Sequence, residues 1–218
     1  MPEPQILAMG GVPDDRLLDR ALMLAEGRRV LYVPTATRED PAFTVLWYDR
    51  LRERGTMSHL NFFPWPPEGL RELVLAQDLI LIAGGNTANA LAIWRVHGFD
   101  EILREAWQQG ILLGGWSAGM ICWFEHGVTD SFGPELAPMD CLGFLPGSAC
   151  PHYDGEERRR PAYTQLVAAG FQSGVAADDD VALHFVGTEL REVVTSREGA
   201  TAYRVTPEGE QRLDARLL

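Results

Sequence analysis

The sequence predicts an α/β protein built around a mostly parallel sheet, with antiparallel strands added in its last third. Three observations carry this. Residues 79–83, Leu-Ile-Leu-Ile-Ala, and residues 111–115, Ile-Leu-Leu-Gly-Gly, are runs without polar alternation. Strands buried on both faces have this character, and such strands belong to parallel sheets covered by helices. Each run ends in a glycine-rich turn and is followed by a helical pattern, the strand–helix order of right-handed crossover units. After about residue 180, short β-rich segments are separated by single glycines, as in an antiparallel meander.

The elements follow in order. Residues 5–9 form a short apolar strand ending at Gly10-Gly11. Residues 14–26 place Leu17, Leu18, Ala21, Leu22 and Ala25 on one helical face; Asp14 or Asp15 can cap this helix and Gly27 can end it. Residues 29–33 form a second strand stopped by Pro34, residues 41–54 a second helix ended by Gly55, and residues 59–63 a weaker third strand. The run at 79–83 leads into a helix over 87–97, then another over 100–109 closed by Gly110. The strand at 111–115 is followed by a short helix over 118–126. Residues 181–186, 190–195 and 200–205 form the meander on one sheet edge. No linker, repeat or low-complexity segment interrupts the 218 residues, so a single domain over 1–218 is expected.

The composition narrows the function classes. The formal net charge of −12 disfavours binding to nucleic acid or anionic membranes. No run approaches the roughly 18 apolar residues of a membrane span, and the N-terminal residues lack a signal-peptide pattern. The three cysteines, Cys122, Cys141 and Cys150, form no C-x-x-C pair, which suits reduced thiols in a cytoplasmic protein. No His/Cys/Asp cluster has metal-ligand spacing, so neither a metal nor another cofactor is expected.

The segment richest in chemistry is Gly115-Trp116-Ser117-Ala118-Gly119. A G-x-S-x-G pattern between a buried strand and a helix makes the chain reverse sharply and lifts the serine hydroxyl above the carboxyl end of the sheet. The helix start then offers the Ala118 amide to a developing oxyanion. Gly84-Gly85-Asn86-Thr87 ends the other buried strand, and two glycines let the backbone approach an anion closely. Gly85 is the candidate second oxyanion donor. Asn86 is either a substrate contact or a helix cap.

A serine nucleophile needs a base. Of the five histidines, His97 and His126 fall near predicted helix ends, His59 precedes a weak strand and His184 lies within a strand. His152 lies in the loop Cys150-Pro151-His152-Tyr153-Asp154-Gly155, the setting in which catalytic groups most often occur. Asp130, Glu125 and Asp154 are candidates for the acid that orients it.

Taken together, the GGNT turn, the GWSAG turn, the CWFE-x-G-x-TDS stretch and the CPHYDGE loop resemble the peptidase E family, which includes aspartyl dipeptidases and cyanophycinases. The resemblance implies a three-layer α/β sandwich like the glutaminase domain of class I amidotransferases, with serine in place of cysteine. It implies Ser117 as nucleophile, His152 as base, and the Gly85 and Ala118 amides as oxyanion donors. Asp130 matches the third member by region. In the family's aspartyl dipeptidases, the resemblance implies, an arginine after the histidine loop helps hold the substrate aspartate. Arg158, Arg159 and Arg160 occupy the comparable place here, with Arg158 and Arg160 as candidate substrate contacts. The implied activity is hydrolysis of small peptides, among them dipeptides with N-terminal aspartate, by a monomer or homodimer. An esterase-type hydrolase, a class I amidotransferase and a non-catalytic binding member of the fold are the alternatives. The 35-residue interval from Ser117 to His152 sits badly with an esterase, whose histidine lies near the C-terminus, and a serine at the turn sits badly with glutaminase chemistry.

Overall fold

The computed structural model describes residues 2–218. Its first half alternates strand and helix: β1 (Gln5–Met9), α1 (Asp15–Leu24), β2 (Arg29–Val33), α2 (Pro41–Leu51), β3 (Thr56–His59), α3 (Leu70–Leu75), β4 (Leu79–Ile82), α4 (Thr87–Val96), α5 (Phe99–Gln108), β5 (Leu112–Trp116) and α6 (Ala118–Ile121). Then come β6 (Phe124–Thr129), β7 (Ala137–Asp140), β8 (Leu145–Cys150), α7 (Arg159–Ala168), β9 (Gly174–Ala177), β10 (Val181–Val186), β11 (Glu189–Thr195), β12 (Ala202–Thr206), β13 (Gly209–Arg212) and β14 (Ala215–Leu217).

An eight-stranded sheet in the order β14-β11-β10-β1-β5-β4-β2-β3 forms the middle layer. The five strands from β1 to β3 are mutually parallel, and β10 and β11 join β1's free edge antiparallel. Residue parity decides which helices cover which face. Leu7, Met9, Val30, Tyr32, Leu79 and Leu81 pack with α1 and α2 through Leu17, Ala21, Trp47 and Leu51. Ile6, Ala8, Leu31, Val33, Ile80 and Ile82 pack with α4 and α5 through Leu91, Trp94, Phe99 and Leu103. This is the predicted three-layer sandwich, with the unbroken apolar strands at its centre. Among the described residues, no helix is long and apolar enough to cross a membrane.

Three sequence expectations change. The third strand is Thr56–His59, earlier than 59–63. The helix expected over 118–126 is a single turn. The carbonyls of Cys122, Trp123 and Phe124 accept from the amides of Leu142, Phe144 and Gly143 at 2.8–3.0 Å, so the chain leaves the helix, and His126 stands on a strand. Finally, residues 200–205 do not extend the meander. Strand β12 pairs with β9 in a second sheet, ordered β13-β12-β9-β8-β6-β7, that the sequence did not announce. Helix α7 covers this sheet with Tyr163 and Val167, packed on Val128, Cys150 and Val205.

Candidate active site

The site lies where the two sheets present their carboxyl ends. In the central sheet Met9 is paired with Trp116 and Ile82 with Gly115, so the turns after β1, β4 and β5 emerge side by side. Ser117 takes φ 56°, ψ −109° between β5 and α6, a conformation that L residues rarely adopt and that costs of order 1–3 kcal/mol. Hydrogen bonds on both sides hold it there. Its amide donates to Met9 O at 3.2 Å, and its carbonyl accepts from the Met120 and Ile121 amides at 2.9 and 3.1 Å. Gly119 packs against the Ile82 backbone, where a Cβ would overlap the carbonyl.

The Gly84-Gly85 turn runs directly beside the serine: a methyl on Gly84 would sit 3.2 Å from Ser117 Cβ. Gly85 has φ 130°, and a side chain there would strike Ala36 O, so glycine is required on both counts. The Asn86 amide donates to Ala36 O at 2.9 Å and locks the turn. Among the described residues, the Gly85 and Ala118 amides donate to no carbonyl or side chain. The Asn86 side chain is committed to structure: Oδ1 accepts from the Asn89 amide, capping α4, and Nδ2 donates to Ser131 O.

The second sheet supplies the histidine. Strands β8 and β9 are adjacent and parallel, with Cys150 paired to Ala176. Two residues past the end of each come His152 and Asp179, which therefore meet. His152 Nδ1 lies 2.7 Å from Asp179 Oδ1. The His152 amide donates to Gly10 O at 3.2 Å and so ties this loop to the end of β1. His152, at φ 51°, is also backbone-strained. The His152 hydrogen bond, the largest influence on Asp179, holds its carboxyl below the usual aspartate range against the opposing effect of burial.

Asp130, the acid expected from the sequence, does not meet His152. It follows β6, which flanks β8 on the side away from β9, and its carboxylate is drawn to 3.8 Å from the buried Arg159 guanidinium. The other two candidates are also engaged elsewhere. Glu125 accepts from the Gly147 amide. Asp154 accepts from the Asp179 amide at 2.8 Å and pairs with Arg197, whose guanidinium also donates to Asp179 O and Asp180 Oδ2. Asp154 therefore fixes the loop that carries Asp179. The remaining histidines are occupied: His59 with the Tyr48 hydroxyl, His97 stacked on Phe62, His126 with Asp140, and His184 with Gln5.

Ser117, His152, Gly84, Gly85 and Asn86 line one cavity of about 640 Å³, within the range of small-molecule sites. Its other walls are mostly aromatic or aliphatic: Tyr32, Trp47 and Trp116, with Val12, Phe43 and Leu46. Arg38 and Arg50 are its cations.

Residues 13–193 match the model of peptidase family S51. The chain belongs to this family. Over 211 residues it is 47% identical to the uncharacterised peptidase YgaJ of Bacillus subtilis (strain 168), covering 92% of this chain and 91% of the relative. Peptidase E of Pasteurella multocida (strain Pm70) is 28% identical over 130 residues, 55% of this chain and 56% of that one. The crystal structure of a peptidase from an acI-B1 actinobacterium superposes with a TM-score of 0.74 at 19% identity, covering 98% of this chain and 95% of the other. A candidate peptidase E protein from Listeria monocytogenes EGD-e gives 0.66 at 21%, covering 97% and 100%. At these identities the two structures show a shared fold. Membership of family S51 makes the chain a peptidase.

On the substrate side, this S51 peptidase departs from what the resemblance implied. Neither Arg158 nor Arg160 lines the cavity. Arg158 is exposed, 3.9 Å from Glu135. Arg160 pairs with Glu210 and lies over the rings of Tyr153 and Tyr203. The second sheet explains this: helix α7 packs on β12 and β13 and carries Arg160 toward that edge, whereas Arg158, just before α7, faces Glu135 in the β6–β7 connection. The cavity's arginines come instead from the loop after β2 and from α2, positions that no sequence motif marked. Among the described residues, no group of three or more His, Cys, Asp or Glu side chains is arranged to hold a metal ion.

Proposed function

We propose that this peptidase is of the serine type and cleaves small peptides through an acyl-enzyme on Ser117. The observation that carries the proposal is the shared cavity of Ser117, His152 and Gly85, with the far nitrogen of His152 bonded to Asp179. An imidazole so held has its Nδ1 proton fixed by a carboxylate, which leaves Nε2 to accept a proton. His152 takes the proton of Ser117 Oγ as it attacks the peptide carbonyl. The oxyanion forms beside the unpaired amides of Gly85 and Ala118. His152 then protonates the leaving amine, the C–N bond breaks, and water activated by the same imidazole releases the acid. Asp179 stabilises the imidazolium at each stage. An enclosure of this size suits one or two residues of substrate rather than a folded protein. Three buried, unpaired cysteines suit a reducing cytoplasm. An N-terminal aspartate preference loses its expected support, since Arg158 and Arg160 lie away from the cavity.

The test is a fluorophosphonate probe followed by peptide mapping, with dipeptide hydrolysis measured alongside. The expected result is one adduct, on Ser117, and a Ser117→Ala enzyme slower by several orders of magnitude with its fold retained. Retained turnover in Ser117→Ala, or labelling elsewhere, would overturn the proposal. Hydrolysis of p-nitrophenyl esters with no cleavage of any peptide would favour the esterase alternative.

A further inference from the structure

We propose that the cavity beside Ser117 selects a substrate with an aromatic side chain, with the Tyr32 hydroxyl as its one buried polar contact. This rests on the serine-peptidase proposal above and adds the substrate class. Three aromatic rings form the cavity floor. Trp47 and Trp116 are stacked with centroids 4.6 Å apart, and Tyr32 lies 6.2 Å from Trp116 at an interplanar angle of 11°. These rings are almost wholly buried in the folded chain. The walls above them are Phe43 and Leu46, both about half exposed. Apolar surface open to solvent on the inner wall of a cavity is what an incoming apolar group would cover.

Tyr32 adds a second, independent observation. Its hydroxyl is buried and has no hydrogen-bond partner, and burial raises its pKa so that it stays protonated. A buried hydroxyl without a partner is destabilising, and a ligand that supplies an acceptor or donor removes that penalty. The hydroxyl of a tyrosine side chain, stacked on the floor, can do so.

An acidic side chain fits poorly. The Arg50 guanidinium is already held by Pro13 O at 2.9 Å and Asp15 Oδ1 at 3.1 Å, and it lies over the Trp47 ring. Arg38 is exposed at the rim. A carboxylate at the floor would lose its hydration and have to share the Arg50 guanidinium with Asp15.

The experiment uses the full chain with Ser117→Ala, so that ligands bind without turnover. Phe-Gly, Tyr-Gly and Asp-Gly are titrated while tryptophan fluorescence is followed, Trp47 and Trp116 being the reporters. The expected result is a Kd for both aromatic dipeptides at least tenfold below that for Asp-Gly. Adding Tyr32→Phe should weaken Tyr-Gly about 3- to 10-fold, the size of one hydrogen bond, and leave Phe-Gly within twofold. The unchanged Phe-Gly affinity is the control for folding. Asp-Gly binding as tightly as Phe-Gly, with Arg38→Gln abolishing it, would overturn the proposal, as would no binding of either aromatic dipeptide at millimolar concentration. Probe labelling of wild-type Ser117 is unaffected by these outcomes. Labelling with aspartate preference sinks the specificity alone, and aromatic binding without labelling or turnover sinks the serine mechanism alone.

Discussion

His152 Nδ1 and Asp179 Oδ1 lie 2.7 Å apart because adjacent parallel strands each release a loop residue just past their carboxyl ends. Asp130, on the opposite flank of β8, faces Arg159. The two acids therefore make separable predictions. Asp179→Asn should lower kcat/KM by about 10³- to 10⁴-fold, the scale seen when a serine triad loses its orienting carboxylate. Asp130→Asn should change it by no more than about threefold. Steady-state kinetics on one dipeptide with both variants checks this, and the reverse ranking would return Asp130 to the triad.

The same pair has a pH signature. Because the His152 hydrogen bond lowers Asp179's pKa, the folded state releases this proton at lower pH than the unfolded chain does. The stabilisation is therefore complete above the ordinary aspartate value near 4 and is lost as pH falls through Asp179's depressed value. The side chain is 37% exposed, so solvent screening keeps the contribution at about 1 kcal/mol or less. Urea midpoints of wild type and Asp179→Asn should differ by a constant amount from neutrality down to about pH 4 and converge below it.

Gly11 and Gly155 hold the carboxylate from two sides. A methyl on Gly11 would overlap Asp179 Oδ1, and one on Gly155 would overlap Oδ2. Neither glycine has a positive φ, so alanine is compatible with both backbones. The side chain that must give way is Asp179 itself. Gly11→Ala and Gly155→Ala should each cut kcat at least tenfold while shifting the urea midpoint little. Equal loss of stability and activity would mean that the backbone moved instead.

Legibility in the sequence followed locality. The strand at 79–83 and the Ser117 turn could be read because burial on both faces and the strand–turn–helix reversal each leave a mark within a few residues. Asp179 could not. It sits in the run Asp178-Asp179-Asp180, which reads as an acidic turn, and its meeting with His152 depends on β8 and β9 pairing across the 23 intervening residues 151–173 that include α7. The strands of the second sheet hide for a related reason: β8 reads Leu-Pro-Gly-Ser-Ala-Cys, with neither an apolar run nor alternation. Tyr32 and Trp47 are core residues, and no motif in the sequence marks them. Only their shared face with Ser117 makes them a cavity floor.

The thiols separate serine from cysteine chemistry in this fold. Cys122, Cys141 and Cys150 are buried, and none lines the cavity. Burial pushes the Cys141 and Cys150 thiols up to about 12 and Cys122 well above its ordinary value. At pH 8 the native protein should react with less than one equivalent of a disulfide thiol reagent over minutes, and with three in denaturant. Iodoacetamide should leave peptidase activity unchanged. Rapid loss of activity on alkylation would place a thiolate in the chemistry.

Ser117 stores strain that its replacements should reveal. At φ 56°, ψ −109° an alanine keeps the strain of order 1–3 kcal/mol, whereas glycine occupies this region freely because it is the mirror of extended backbone. Glycine also gives the unfolded chain more freedom, a cost of about 0.4–1 kcal/mol relative to alanine. The strain term is the larger, so Ser117→Gly should be more stable than Ser117→Ala by about 1 kcal/mol, although glycine normally ranks below alanine. Both variants lack the hydroxyl and should be equally inactive, so the comparison isolates the backbone. Urea unfolding of the two side by side measures it. A Ser117→Ala protein as stable as Ser117→Gly would mean that the turn relaxes once the serine is gone, and that its conformation is held by the side chain rather than by the hydrogen bonds to Met9, Met120 and Ile121.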